Sequence, residues 1–182
     1  IFHTINDGSY TLKVTNLDIS DPSKITQINQ IKLRGRYLSS RQTNGDIVLF
    51  SKFSVSSSFD PSSPVTYVPS IDIGDGFRCM DISNLICPKV INSPEYTVVT
   101  VLSESNLEYK GSSALLSYSD ITYVSQNNIY VTRGYNNAVT QGEYTDNEQL
   151  TEITRLSVDK RAGLLAKGSV IVEGYLKDQY SL

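Results

Sequence analysis

One strand pattern comes round three times in this chain of 182 residues, and that recurrence limits the fold more than any single motif. The first copy opens on Tyr10, Thr11, Leu12, Lys13 and Val14, which alternate as a half-buried strand does. The phase resets between Asn16 and Leu17, as a bulge would reset it. Asp18, Ser20, Asp21 and Pro22 then supply a turn, because proline fixes φ and short polar side chains bond the local backbone. A second strand covers residues 25–33, although Ile25, Ile28, Ile31 and Leu33 depart from strict period two. Gly35 separates it from a third strand around Tyr37 and Leu38. Asn44-Gly45, a pair that tolerates positive φ, predicts a tight hairpin into the apolar run Ile47, Val48, Leu49, Phe50. From Tyr96 the order returns, with Asn127-Asn128 in the place of Asn44-Gly45, and a third copy opens at Leu150.

The copies cover about 10–53, 96–133 and 150–182, with a loop-rich insertion at 54–95 that carries Pro61, Pro64, Pro69, Pro88 and Pro94. Four strands per unit at a period of roughly 40–50 residues is the pattern of propeller blades. The expected fold is therefore all-β: a single domain, 1–182, forming a segment of a β-propeller with about three four-stranded blades, the last incomplete. A sandwich or barrel of short strands is the alternative. Fewer than three full units do not close a ring, so the remaining blades of the same propeller, or another copy of the chain, are expected as partners. Ile1 in place of Met, and an end at 175–182 inside a strand-like stretch, suggest a piece of something longer.

Composition narrows the role. Charged residues make up 19% and the formal net charge is −3, without any run of basic residues. Nucleic acid, whose binding rests on phosphate neutralisation, is not expected as a partner, and anionic membrane surfaces are disfavoured for the same reason. No apolar run approaches the roughly 18–20 residues of a membrane-spanning helix, so no membrane-spanning segment is expected.

The series Leu17-Asp18-Ile19-Ser20-Asp21-Pro22-Ser23-Lys24, then Gly35-Arg36-Tyr37-Leu38-Ser39-Ser40-Arg41, resembles the blade of a secreted bacterial and archaeal β-propeller family distantly related to WD-40 repeats. Tyr67-Val68-Pro69, Gly74-Asp75-Gly76, Cys79-Met80-Asp81-Ile82, Tyr96-Thr97-Val98-Val99 and Asn127-Asn128-Ile129-Tyr130 extend the likeness over most of the chain. The second copy departs from it, with Ser103-Glu104-Ser105-Asn106 where the proline turn would stand. The resemblance implies a secreted or envelope-attached protein and brings no catalytic residues with it.

The candidate chemistry is sparse. His3 is the single histidine and has no nucleophile motif around it, and an edge-strand position accounts for it. Cys79 and Cys87, eight positions apart, are a disulfide candidate in an exported protein, worth about 2.6 kcal/mol in the chain-entropy model; two free thiols are the alternative. Asp72, Asp75 and Asp81 surround Gly74 and Gly76 and form a weak calcium candidate without EF-hand spacing, for which a solvated turn is the plainer account. Glu104, Glu108, Asp120 and Glu143 show no spacing that selects a carboxylate pair. Tyr37, Tyr123, Tyr130 and Tyr175 recur at equivalent positions and are expected to pack between blades. Tyr135 and Tyr144, in a predicted polar loop at 134–149, are the ligand-contact candidates. No cofactor is expected. The function that follows is a non-catalytic extracellular or cell-envelope module for binding or scaffolding, its partner an extracellular protein or glycan held by residues 54–95 and 134–149. The alternative is an envelope-associated hydrolase or lyase with an acidic loop site at the propeller mouth.

Overall fold

The computed structural model describes residues 2–5, 10–91, 93–119, 121–141, 144–159, 163–178 and 181. They form fourteen strands: β1 (Phe2–Ile5), β2 (Thr11–Asp18), β3 (Thr26–Arg34), β4 (Arg36–Thr43), β5 (Asp46–Ser54), β6 (Ser70–Asp72), β7 (Phe77–Cys79), β8 (Leu85–Ile86), β9 (Glu95–Ser103), β10 (Tyr109–Leu115), β11 (Ile121–Val124), β12 (Asn128–Gln141), β13 (Tyr144–Asp159) and β14 (Gly163–Glu173). Two 3₁₀ turns, Pro64–Thr66 and Ile82–Asn84, interrupt the insertion. The strands make three sheets, ordered β1-β2-β3-β6-β7, β4-β5-β9-β10-β8 and β11-β12-β13-β14. All pairings are antiparallel except the parallel contact of β8 with β10. Among the described residues, no helix is long and apolar enough to cross a membrane.

The local signals hold. Asn44 and Gly45 both have positive φ, +52° and +78°, and close the β4–β5 hairpin with Thr43 opposite Asp46. The register of β2 on β3 shifts between Asn16 and Leu17, where the phase of the sequence breaks. The proline turn is held by the Asp21 carboxylate, which accepts from the Ser23 amide at 2.9 Å and the Ser23 hydroxyl at 2.6 Å.

The division into repeats at 10–53, 96–133 and 150–182 does not match the sheets. Each of the first two repeats is split between neighbours: β2 and β3 lie in the first sheet, β4 and β5 in the second, β9 and β10 in the second, β11 and β12 in the third. The insertion 54–95 is not merely loop, since it returns β6 and β7 to the first sheet and β8 to the second. Strand order along the chain shows which strands follow one another, and Gly35, at φ +122°, turns the chain out of the first sheet before β4 begins.

The central strands of the middle sheet, β5 and β9, are buried on both faces, which is why 47–50 reads as a continuous apolar run rather than an alternation. Val48 and Phe50 pack with Val131 and Leu156 of the third sheet. Leu49 turns the other way, onto Leu12 and Ile31 of the first. Thr100 Oγ1 and Ser112 Oγ pair at 2.9 Å across β9 and β10, whereas the buried hydroxyls of Ser51 and Ser70 have no hydrogen-bond partner among the described residues.

Candidate functional site: a cleft at the Gly35 corner

The first and second sheets meet backbone to backbone at Gly35. Its amide donates to the Tyr10 carbonyl at 2.8 Å, and a Cβ there would stand 2.3 Å from the Lys52 carbonyl oxygen. Glycine alone fits, on grounds of both φ and space. The arginines on either side of it are each laid on a ring. The Arg36 guanidinium lies 3.6 Å from the centre of Tyr10, and that of Arg34 lies 4.3 Å from Phe77. Arg34 Nη1 also donates to Thr11 Oγ1 at 3.3 Å.

The opposite wall comes from the insertion. Val55 is tied down by its amide, which donates to Pro94 O at 2.8 Å. Asp60 accepts from the Ser62 amide and hydroxyl at 2.9 and 2.7 Å, and those bonds hold its carboxyl below the usual range. Thr66 Oγ1 closes the same loop by donating to Ser63 O at 2.7 Å. Phe59 sits edge-on to Tyr67, with centroids 5.6 Å apart. Between the walls is a cleft of about 440 Å³ whose lining includes Tyr10, Arg34, Arg36, Phe53, Phe59 and Val65 and, among the described residues, no acidic side chain. Lys52 also lines it, and its ammonium pairs with Glu95 Oε1 at 2.7 Å. Burial pushes the Glu95 carboxyl up, but bonds from Lys52 and Ser54 outweigh that and leave it lowered. A smaller cavity of about 260 Å³ lies between the same two sheets, lined by Leu33, Ile71, Met80, Val98 and Tyr109.

The three candidate calcium ligands are not brought together. Asp72 is buried; its Oδ1 accepts from the amides of Gly74 and Gly76 at 2.9 and 3.0 Å, and its Oδ2 pairs with Lys32 at 3.1 Å. Asp75 pairs with Arg78. Asp81 caps the Ile82–Asn84 turn through the Ser83 amide, 2.8 Å away. Among the described residues no group of three or more His, Cys, Asp or Glu is placed to hold a metal ion. The Asp72 bonds to Gly74, then to Lys32, hold its carboxyl below the usual value. A lowered folded-state pKa gives stability that is present above the unfolded value of 3.8 and is lost as pH falls through the folded one. Asp72→Asn is thus expected to cost about 1–2 kcal/mol at pH 7 and to flatten the loss of stability below about pH 4 in urea melts taken across that range.

Cys79 and Cys87 are free and exposed, so the disulfide does not form in this structure: Cys79 ends β7 in the first sheet, and Cys87 follows β8 in the second. Exposed as it is, the Cys79 thiol is partly desolvated, which pushes it up. The polar loop expected at 134–149 is instead a ribbon, with β12 and β13 paired continuously to Gln141 opposite Tyr144. Tyr135 consequently sits on that strand with its ring 4.6 Å from the Arg133 guanidinium, as part of the packing. The side chains of Tyr144 and His3, and the residues Asp120 and Glu143, lie outside the described residues. Tyr123 and Tyr130 neighbour each other at 6.2 Å, but Tyr37 and Tyr175 are exposed rather than packed between sheets.

Two features escaped the reading of the sequence. The arginines flanking Gly35 look like ordinary strand-end charges until the corner is folded. Arg133 had a signal: it continues the inward face of Ile129 and Val131, and it is buried, its Nε 2.7 Å from Glu152 Oε2.

Compared with known proteins, residues 2–182 match the model of the Beta propeller domain family. No curated protein matches. Three sheets of four or five strands, antiparallel but for β8 on β10, are consistent with a segment of a β-propeller. The chain belongs to the Beta propeller domain family.

Proposed function

We propose that this chain is a non-catalytic binding module, exported to the cell envelope or beyond, that holds a partner at the Gly35 cleft. The observation that carries the reading is the cleft itself, an apolar and arginine-lined recess built where the insertion folds back on two sheets. Binding sites favour such concave places with few placed polar groups. The export reading rests on the secreted propellers that the blade sequence resembles. The further blades, or a second copy, would pack on the outer strands: β14 leaves Val170, Ile171 and Val172 exposed in a row, an apolar edge that a closed ring covers.

The test is an array of extracellular-type peptides and glycans probed with the full chain and with Phe59→Ala. Phe59 is 46% exposed, so truncation there should spare the fold and remove most of any specific signal. Binding that Phe59→Ala leaves intact would move the site elsewhere, and turnover of an array member would replace the module with a hydrolase or lyase. Protease accessibility of the protein on intact source cells checks the location.

A further inference from the structure

The smaller cavity, of about 260 Å³, is lined from two separate parts of the core: Leu33, Ile71 and Tyr109 belong to one cluster, Val98 and Met80 to another. Its lining runs from the buried Leu33, Val98 and Ser112 to the exposed Ile73, Arg78 and Asp81, so it opens to solvent on one side. Protein interiors are close-packed, and a recess of this size forfeits contacts on each wall until something fills it. Ser70 lines the same cavity; it is 4% exposed, and its hydroxyl has no hydrogen-bond partner among the described residues. A buried hydroxyl left in that state is costly, and native folds supply nearly all of them with a partner. The charged residues of the lining are already engaged: Arg34 bonds Thr11, Arg78 pairs with Asp75 and Asp81 accepts from Ser83. We infer that this cavity binds a small neutral molecule, an apolar body carrying one hydroxyl, with that group bonded to Ser70 and the body packed against Leu33, Ile71 and Val98. Water alone would answer Ser70 and leave the apolar walls wet. A plain hydrocarbon would cover the walls and leave the hydroxyl unanswered. An ionised ligand would enter a largely apolar recess whose charges already have partners, which is costly. An apolar cavity of about 150 Å³ takes benzene, so this one has room for a substituted single ring. The site is independent of the reading of the Gly35 cleft, with which it shares only Arg34 among the described lining residues.

The full chain is titrated with 4-ethylphenol, with ethylbenzene and with 4-ethylbenzoate, each followed by amide NMR shifts. The two neutral probes are expected to shift Ile71, Met80 and Val98, and 4-ethylbenzoate to bind about tenfold or more weaker than 4-ethylphenol. Ser70→Ala removes a hydroxyl that has no partner in the free chain, so the fold should keep its stability. That variant is expected to lose about fivefold in affinity for 4-ethylphenol, the worth of one neutral hydrogen bond, and to bind ethylbenzene as before. Ile73→Trp, at a position 48% exposed, should spare the fold, narrow the opening and weaken both neutral probes by about tenfold. Failure of both neutral probes to shift those amides overturns the site. A benzoate that binds as well as the phenol overturns the neutral class. A Ser70→Ala chain that keeps the preference between 4-ethylphenol and ethylbenzene unchanged overturns the role of Ser70. Binding that Ile73→Trp leaves unchanged moves the probes to another place and overturns the cavity as their site.

Discussion

Replacing Gly35 with alanine is expected to lower the unfolding free energy by about 3–5 kcal/mol, combining backbone strain with overpacking. Two independent costs act there. The residue sits at φ +122°, where a side chain is strained whatever the space. The added Cβ would also meet the Lys52 carbonyl oxygen at 2.3 Å, and that atom is backbone in a strand that is buried on both faces and has no freedom to retreat. Because a domain of this size has about 5–15 kcal/mol in all, the variant should melt far earlier in urea. Gly45→Ala is the matched control, since φ there is +78° but nothing lies within 4 Å; it should show the strain of about 1–3 kcal/mol without the clash. Equal losses at the two positions would mean that the sheets do not meet at Gly35.

Arg133 carries the second large effect. Its side chain is 2% exposed, and each part of the guanidinium is engaged: Nε and Nη2 reach Glu152 Oε2 at 2.7 and 2.6 Å, and Nη1 donates to the Val90 carbonyl at 2.7 Å. Glu152 Oε1 accepts from Ser169 at 2.8 Å. The group therefore ties β12, β13 and β14 to the segment that leads into β9. Arg133→Ala is expected to cost about 3–5 kcal/mol, because it leaves a buried carboxylate without its cation. Arg133→Met combined with Glu152→Leu should recover most of that loss, because an apolar pair of similar volume removes the uncompensated charge. Urea unfolding of the singles and the double, treated as a cycle, measures the coupling. A double variant no more stable than Arg133→Ala would show that the loss comes from the Val90 contact rather than from the ion pair.

The arginines explain why the cleft was illegible in the sequence. Arg34 and Arg36 lie two positions apart at the end of one strand and the start of another, a common place for charge, and their rings come from Phe77 and Tyr10, distant in the chain from one or the other. The aspartates erred in the opposite direction. Asp72, Asp75 and Asp81 cluster along the chain, but each is drawn to a different partner within a few residues or across a strand, so proximity in sequence did not become proximity of carboxylates. The ribbon at 134–149 read as a loop because its polar residues show no buried face. Strand pairing does not require one, and the ladder holds through backbone bonds.

By itself the sequence determined the all-β class, the Asn44-Gly45 hairpin, the proline turn and the bulge at Asn16. These depend on φ preferences, on period-two burial and on side chains that bond neighbours a few positions away. The tertiary structure alone decided which strands share a sheet, that the insertion lends strands to two of them, and that a cleft opens at Gly35. Those outcomes depend on where one positive-φ glycine sends the chain and on contacts such as Arg133 with Glu152 and Val90, 19 and 43 residues apart, which local preferences do not encode.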